Sequence, residues 1–282
     1  MKNSFQQTYT SIKRGYQHNN INGVEYMTIP QWDKFPEIIH AFSTRNGGVS
    51  KPPYDSLNLD LVRPSSHQGV FENFERITEV LRININDLVQ LNYAHGDGIE
   101  IVDSRHKGMG LLRKSELPTC DAIITKESGV VILTTHADCA SFLIYNPVVR
   151  VVAACHAGWR GMLLKIGQKT IEKLSLMFGS NPEDCCVGIG PCICGDCFEV
   201  DLPVAEQFGA VFPDIDAIRR REDGKYLIDL VRCAAKQFLD AGLFAENITI
   251  ADECTYENVD RYYSYRRDKP NAGSMAGFLG LL

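Results

Sequence analysis

Apolar residues recur along this chain with two different periods, which divide it into short strands and a few amphipathic helices. Alternating or continuous apolar runs predict strands at residues 24–30, 38–44, 97–103, 121–125, 130–135, 187–190, 197–201, 247–252 and 261–268. Helical spacing predicts helices at residues 71–83, 201–212 and 230–242, the last capped by Asp229. Asp223-Gly224 is predicted to turn a hairpin within residues 221–228. Because strands and helices mix without strict alternation, the pattern predicts an α+β fold with mixed β-sheets.

The segment HADCASFLIYNPVVRVVAACHAGWRG, residues 136–161, predicts a central hairpin with reactive side chains near its open end. Its two apolar runs are joined by Asn-Pro-Val-Val, and Asn followed by Pro favours a type I turn with Tyr145 opposite Arg150. An unbulged ladder then places Cys139 directly across from His156, with Cβ atoms ~5 Å apart. A thiol and an imidazole at that separation can share a metal or act as nucleophile and base. The alternative is a buried cysteine beside a histidine of the core.

After His156 the apolar residues follow helical spacing as far as Gly179, which predicts one amphipathic helix with a glycine just past its end. The N-terminus of this helix is expected to open beside His156, where its free N–H groups and dipole favour an anion. Arg160 adds a cation at the same place, so phosphate is the first candidate ligand. The alternative is that the Arg160 side chain extends into solvent.

Composition limits the classes of partner. The chain has 282 residues, 44% of them hydrophobic, which is enough for a large core, and its net charge is −6 without a long block of like charge. Neither a nucleic-acid surface nor a membrane-binding face is indicated. The first 16 residues lack the apolar core of a signal peptide, and no apolar run approaches the ~20 residues of a membrane span. We therefore expect a cytoplasmic protein with no nucleic-acid or membrane partner.

The pattern also predicts the domain organisation. No repeat, low-complexity tract or linker divides the chain. Residues 1–20 are predicted to form a loosely held tail, and residues 21–282 a single domain.

The ten cysteines are unevenly placed. Five of them fall within one short stretch, at Cys185, Cys186, Cys192, Cys194 and Cys197. Without a secretory signal, reduced thiols or a metal site are favoured over disulfides. Cys194 and Cys197 have the C-x-x-C spacing of zinc and redox sites, but a structural zinc usually takes a second such pair, and the sequence has no other. The favoured interpretation is a thiol-rich loop, and a metal site is the alternative.

Several motifs occur in the order found in one known family. They are STRNGGVS, AHGDGIEIVD, CDAIIT, HADC, HAGWRG, GIGPCI, FEVD and SYRRD, and they run from about Val24 to the C-terminus. On these motifs the chain resembles the YfiH-type family, whose members carry the names multicopper polyphenol oxidase with a laccase-like domain, purine nucleoside phosphorylase and peptidoglycan editing factor. ADC followed by HAGWRG is the specific part of the match. The resemblance implies a four-layer αββα sandwich related to cysteine hydrolases.

The same resemblance implies one zinc ion held by His95, Cys139 and His156, with copper as the less favoured metal. Nothing in the residues alone selects His95 over the other histidines. His136 lies three positions before Cys139, and residues three apart on a strand face opposite sides, so it is predicted as a pocket or core residue rather than a fourth ligand. Tyr93 stands where the family usually has glutamine, which is expected to change the pocket wall and not the metal.

Three protein ligands and an open fourth position are typical of a catalytic zinc. For adenosine deamination a carboxylate must shuttle protons, and Asp138 and Asp121 are the nearest candidates. For phosphorolysis of a purine nucleoside, phosphate needs a cradle of positive charge and backbone N–H groups. The predicted cradle consists of the helix N-terminus with Arg45, Gly47, Gly48 and Arg160. The alternative for Arg45 is a surface loop arginine.

The expected function is a zinc-dependent purine nucleoside phosphorylase for adenosine, inosine or methylthioadenosine, with adenosine deamination as a side activity. A metal-free Cys139–His156 hydrolase acting on a peptidoglycan precursor is the main alternative. A non-catalytic binding protein stabilised by zinc is another. A multicopper oxidase is disfavoured, because it needs many histidines with H-x-H pairs, and this chain has seven histidines and no such pair.

Overall fold

The computed structural model describes residues 2–61 and 69–282. Within them the helices and strands are α1 (Lys2–Ser11), β1 (Lys13–Arg14), β2 (Gln17–Ile21), β3 (Val24–Thr28), β4 (Ile38–Ser43), α2 (Val70–Leu81), β5 (Leu88–Gln90), β6 (Ile99–Ile101), β7 (Ala122–Thr125), β8 (Val131–His136), β9 (Ala140–Asn146), β10 (Val151–Ala157), α3 (Trp159–Leu163), α4 (Ile166–Phe178), β11 (Cys186–Ile189), β12 (Glu199–Val200), α5 (Leu202–Val211), β13 (Ile218–Arg220), β14 (Tyr226–Ile228), α6 (Leu230–Asp240), β15 (Ile248–Ile250), α7 (Tyr265–Asp268) and β16 (Met275–Leu281). Among these helices, none combines the length and apolar content that crossing a membrane requires.

Two large sheets and one small sheet organise these strands. The first has seven strands in the order β1-β15-β11-β9-β10-β7-β6, and the second has six in the order β2-β3-β4-β16-β8-β5. The three-stranded sheet β12-β14-β13 contains the predicted Asp-Gly hairpin. Each large sheet combines parallel and antiparallel neighbours, such as β6 with β7 and β9 with β10 in the first. The prediction of mixed sheets is therefore confirmed.

Three apolar cores separate four layers. Because successive strand residues face opposite sides, Ala153 of β10 lies in a core shared with α4 and α6, whereas Val152 lies in a core between the two large sheets. On β16, Leu279 faces that inter-sheet core and Phe278 faces a third core, covered by α2. The order is thus helices, seven-stranded sheet, six-stranded sheet and helix, which is the four-layer αββα sandwich expected from the resemblance.

The central hairpin forms as predicted but in a different register. Val151 pairs with Asn146 and His156 with Ser141, so Cys139 is not directly across from His156. Asn146 stays in the ladder because its side-chain amide donates to Ser180 Oγ at 2.7 Å, while its Oδ1 accepts the backbone N–H of Val148. The turn therefore moves one residue along the chain. The shift keeps Cys139 and His156 on the same face of the hairpin, as diagonal neighbours.

The helix predicted after His156 is broken into α3 and α4. Lys165, between them, has a left-handed φ of 57°. The side chain of Gln237 on α6 spans the break, because its Nε2 donates to Met162 O at 3.1 Å and its Oε1 accepts Gly167 N at 3.1 Å. These contacts satisfy backbone groups that the interruption leaves without helical partners. Only the short α3 therefore begins beside the central hairpin.

Within the segment predicted as a loosely held tail, residues 1–20, the described residues 2–20 include α1, β1 and β2, and α1 packs on the fold. Phe5 and Tyr9, four residues apart on one face of α1, and Ile12, just after its end, are buried against the seven-stranded sheet and its helices. The guanidinium of Arg232 lies 4.7 Å from the centre of the Tyr9 ring. Strand β1 continues into the sheet by pairing with β15. Three apolar residues among many polar ones are enough to dock this segment.

The C-terminal region differs from the prediction in two places. The segment predicted as a strand at residues 261–268 ends in the one-turn helix α7, because Ser264 accepts the backbone N–H of Arg267 as its cap. Strand β16 was not predicted at all, although it lies in the middle of the six-stranded sheet. Its glycines weaken a strand pattern but are required, since a Cβ at Gly277 would lie 2.9 Å from the Phe42 ring.

Candidate metal centre

Three side chains with metal-binding atoms meet at the open end of the central hairpin. His95 comes from the loop after β5, Cys139 from the turn between β8 and β9, and His156 from β10. Their ligand atoms all lie within 4.8 Å of one another. His156 is buried, Cys139 is half-buried and His95 is exposed, so the group opens towards solvent on the His95 side. The residues that the resemblance selected are thus brought together.

Close approach of these side chains depends on Gly158. A Cβ at this position would lie 2.8 Å from His95 Cδ2 and 3.3 Å from Cys139 Sγ. Continuing the β9–β10 register by one residue places Gly158 opposite Cys139, where any side chain would push into the cluster. The glycine of HAGWRG therefore leaves the space in which His95 and Cys139 meet.

The two turns that present His95 and Cys139 are held in left-handed backbone conformations. His95 has a φ of 59°, and Asp138, just before Cys139, has a φ of 83°. Such values are uncommon for residues other than glycine and concentrate at functional sites. The Asp138 carboxylate holds its turn by accepting Thr255 Oγ1 at 2.6 Å and the backbone N–H of Arg266 at 2.6 Å. Asp138 thus joins the cluster to the C-terminal segment.

Asp121 orients both the His156 ring and the loop that carries His95. His156 Nδ1 donates to Asp121 Oδ1 at 2.9 Å, and both side chains are almost fully buried. The same carboxylate accepts the backbone N–H groups of Ala94, His95 and Gly96 at 3.1, 3.0 and 2.7 Å. Because Nδ1 of His156 is engaged, Nε2 is the ring nitrogen left for a metal. A carboxylate behind a ligating histidine is the usual supporting arrangement.

The electrostatics of the cluster favour a thiolate. Burial alone would raise the pKa of Cys139, but the positive charge of His156 and hydrogen bonds with His156 and His95 outweigh it and lower the pKa to about 7. Burial alone would lower the pKa of His156, but the Cys139 thiolate and Asp121 outweigh it and raise the pKa to about 9. The two shifts have opposite signs, so each group favours the charged form of the other. The thiolate is the form of cysteine that binds metals and attacks electrophiles.

The donor set fits a transition metal. Two imidazoles and one thiolate are donors that zinc accepts, and three protein ligands leave a coordination position open for a substrate or water. Copper accepts the same donors. The supporting hydrogen bond from His156 to Asp121 is the feature expected around a ligand histidine.

Tyr93 and His136 lie beside the cluster. The Tyr93 ring packs against His156, with ring centres 4.6 Å apart, and against His95 at 5.6 Å. His136 is buried at the end of β8 with its ring edge towards Phe42, and neither of its ring nitrogens has a hydrogen-bond partner. Burial lowers the pKa of His136 to about 3, so its ring is neutral. These residues form walls of the site.

The predicted phosphate cradle is only partly assembled. The backbone N–H groups of Gly47 and Gly48 both donate to Ser56 Oγ at 3.2 Å, so they are already used within the loop. Arg45 is also engaged, since its guanidinium donates to Asp55 O at 2.7 Å and to Val259 O at 3.1 Å. These contacts correct the expectation that Arg45, Gly47 and Gly48 face an anion, because internal acceptors satisfy them.

Arg160 is placed differently. Its side chain is exposed on α3, with the guanidinium carbon 4.3 Å from the centre of the Trp159 ring. Helix α3 begins directly after Gly158, which contacts two residues of the cluster. Arg160 is therefore an exposed cation on the first turn of the short helix that begins beside the cluster, with its guanidinium stacked on Trp159.

The four-layer αββα fold, with two histidines and one cysteine gathered at the end of its central hairpin, defines a class of α+β sandwich proteins with a candidate metal site. Within that class, this chain belongs to the family described as multi-copper polyphenol oxidoreductase laccase, whose model matches residues 39–282. The resemblance stated from the motifs is thereby confirmed.

Relatives with curated names cover most of the chain. A protein named purine nucleoside phosphorylase YlmD, from Bacillus subtilis, is 32% identical over 247 residues, which is 87% of this chain and 89% of that protein. A purine nucleoside phosphorylase from Deinococcus radiodurans is 35% identical over 244 residues, covering 86% of this chain and 89% of its own. The crystal structure of YlmD from Geobacillus stearothermophilus superposes with a TM-score of 0.88 at 27% identity, covering 94% of this chain and 98% of that one.

Proposed function

We propose that this protein is a zinc-dependent purine nucleoside phosphorylase that cleaves adenosine, inosine or methylthioadenosine with inorganic phosphate. The observation that carries the proposal is the cluster of His95, Cys139 and His156, with the exposed Arg160 on the short helix that begins beside it. The names of relatives that cover most of this chain support the same reaction class. Adenosine deamination is proposed as a side activity.

Different groups have different roles in the proposed reaction. A phosphate oxygen forms a bond to C1′ of the ribose while the bond from C1′ to the purine nitrogen breaks, and the departing base takes up a proton. A zinc ion held by His95, Cys139 and His156 would supply a Lewis acid. Arg160 holds the phosphate by charge-assisted hydrogen bonds. Asp121 keeps the His156 ring in place throughout, through the hydrogen bond at Nδ1.

The phosphate dependence of base release tests this proposal. We expect free purine and ribose 1-phosphate to form together, and base release to stop when phosphate is omitted. Arg160→Ala should raise the phosphate KM or lower turnover by roughly 10-fold or more, because a charge-assisted contact contributes ~1.5–3 kcal/mol. The matched control is Arg76→Ala, since Arg76 is an exposed helical arginine paired with Glu72 on the far outer layer.

The outcomes of this assay separate the reactions. Base release at an unchanged rate without phosphate would mean that water is the nucleophile and would contradict phosphorolysis. Adenosine deamination uses no phosphate, so Arg160→Ala should leave it nearly unchanged. Equal losses with Arg160→Ala and Arg76→Ala would show that Arg160 has no particular role in binding phosphate.

A cysteine hydrolase acting on a peptidoglycan precursor is the second candidate. It is favoured by one observation, the closeness of the Cys139 thiol to the His156 imidazole, which lowers the pKa of the thiol and raises the pKa of the imidazole. Chelation distinguishes the two candidates, because a Cys–His hydrolase gains activity when a bound metal no longer occupies its thiolate, whereas the phosphorylase loses it. Turnover of a muropeptide by the chelated protein, with no turnover of nucleosides, would favour the hydrolase.

The multicopper oxidase chemistry suggested by the family description is not favoured. The described residues contain two groups of side chains that could hold a metal. The cluster of His95, Cys139 and His156 contains two histidines, and the other group contains no histidine. A multicopper site needs many more imidazoles. We therefore propose zinc in the histidine cluster, with elemental analysis as the measurement that separates zinc from copper.

A further inference from the structure

A second group of metal-binding side chains lies away from the histidine cluster. Cys194 and Cys197 come from the turn between β11 and β12, and Cys254 and Glu257 come from the segment after β15. One ligand atom from each of these four residues lies within 4.8 Å of the other three. Cys254 is buried, Cys194 and Cys197 are half-buried, and Glu257 is exposed. The partner that the C-x-x-C spacing lacked in the sequence is thus supplied from about sixty residues further along the chain.

Backbone contacts hold this arrangement without a metal. The C-x-x-C turn is closed by hydrogen bonds to Cys194 O from the backbone N–H groups of Cys197 at 3.1 Å and Phe198 at 3.0 Å. Cys194 N also donates to Cys254 Sγ at 3.4 Å. The backbones of the two segments are joined by an isolated parallel β-bridge between Cys192 and Cys254. These backbone contacts therefore bring the thiols together without a bound metal.

The carboxylate completes the group on its solvent side. Glu257 Oε2 lies 3.8 Å from Cys194 Sγ. All ten cysteines of the chain are free thiols in the described residues, so no disulfide occupies this group. Three thiols and a carboxylate on four converging side chains make a four-ligand donor set, the number that a structural zinc takes, and soft thiolates favour zinc over harder cations.

We infer that Cys194, Cys197, Cys254 and Glu257 bind a second, structural zinc ion. The inference takes up the metal-site alternative left open by the sequence, in which a second C-x-x-C pair was the only partner considered. The inference does not rest on the proposed enzyme activity or on metal in the histidine cluster.

The site ties two segments that support the first centre. Thr255 follows Cys254 directly, and its hydroxyl donates to Asp138 Oδ1 at 2.6 Å. On the other side, the backbone N–H of Ile193 donates to Asp138 O at 3.1 Å. Asp138 immediately precedes Cys139. A zinc ion held by the second group would therefore fix both segments that donate hydrogen bonds to Asp138 in the turn that presents Cys139. This zinc ion is not one of the groups proposed to take part in the reaction.

Metal content measured by elemental analysis tests this inference. The protein is purified with reductant in the presence of zinc, and Cys254→Ser is compared with the parent chain. We expect the variant to lose about one equivalent of zinc per chain. The same loss is expected in a His156→Ala background, where any metal held by the histidine cluster is already removed. Cys192→Ala is the matched control, since Cys192 is a buried cysteine of the same loop whose thiol is outside the group, and it should keep the parent's zinc.

Variants of the exposed Glu257 avoid the risk of misfolding. Glu257→Ala should release zinc to a chelator roughly 10-fold faster than the parent, and Glu257→Cys, which provides four thiolates, should release it more slowly. Cobalt substitution in the His156→Ala background, where the histidine cluster holds no metal, gives a further readout: thiolate-to-cobalt absorption should persist there and be lost when Cys254→Ser is added. Full zinc content in Cys254→Ser, or a Cys194–Cys197 disulfide in place of the metal, would overturn the inference.

Discussion

Cys139→Ala is expected to remove the metal from the histidine cluster and to abolish nucleoside phosphorolysis. Cys139 supplies the thiolate of the cluster, and two imidazoles alone hold zinc weakly. A metal acting as a Lewis acid contributes several kcal/mol, and each ~1.4 kcal/mol is tenfold in rate, so turnover should fall by roughly 100-fold or more. Elemental analysis and a base-release assay on the same preparation measure both effects. His156→Ala should lose the metal as well.

Cys155→Ala is the matched control for this prediction. Cys155 is a buried cysteine of the same hairpin, but it lies in the core shared with the outer helices. Its replacement removes a thiol next to His156 without removing a ligand. Retention of the parent's full metal content and turnover in both Cys139→Ala and His156→Ala would show that the ligand assignment is wrong. Because the second zinc site contains neither residue, these variants should still hold about one equivalent of zinc.

Asp121→Asn is expected to damage both the stability of the protein and its first metal centre. The carboxylate accepts four hydrogen bonds, from the His156 ring and from three backbone N–H groups of the His95 loop. An asparagine amide has one acceptor oxygen, and its NH₂ group would face two of these donors. Leaving buried groups of this kind without partners costs about 3–5 kcal/mol. Metal affinity should fall roughly 10–100-fold, as for other losses of a carboxylate behind a ligand histidine.

The matched control for Asp121 is Asp103→Asn. Asp103 also lies beside a histidine, with His106 Nδ1 2.9 Å from Asp103 Oδ1, but this pair is partly exposed to water. Water replaces the lost acceptor there, so unfolding by urea and metal affinity should change far less. Equal destabilisation by Asp121→Asn and Asp103→Asn would contradict the argument that burial makes the Asp121 contacts important.

The sequence predicts the reactive face of the hairpin even where its register is wrong. A shift of the turn by one residue changes the partner of Cys139 from His156 to Gly158, but it keeps both reactive side chains on one face. Local turn preferences could not show this, because the register depends on the contact of Asn146 with the distant Ser180. His95 had to come from the resemblance, since only the folded loop brings it to Cys139.

Other features of the sites could not be predicted from local sequence patterns for the same reason. The Asp121 carboxylate connects the His95 loop to β10, and no sequence pattern marks this residue. Cys254 and Glu257 have no motif spacing relative to Cys194, and only the pairing of β11 with β15 brings their segments together. Amphipathic helices such as α2 and α6 were predicted nearly to their ends, because their periodicity is a property of the segment itself.

The central position of β16 has a consequence for the synthesis of the protein. Strands β4 and β8 do not pair with each other, because residues 275–281 lie between them. A growing chain on the ribosome therefore carries two apolar strands, each lacking its neighbour on that side, until these late residues have been made. Unpaired apolar edges favour association between chains. We expect the nascent protein to depend on chaperone binding during this interval, and the sandwich to close only after synthesis has passed Leu281.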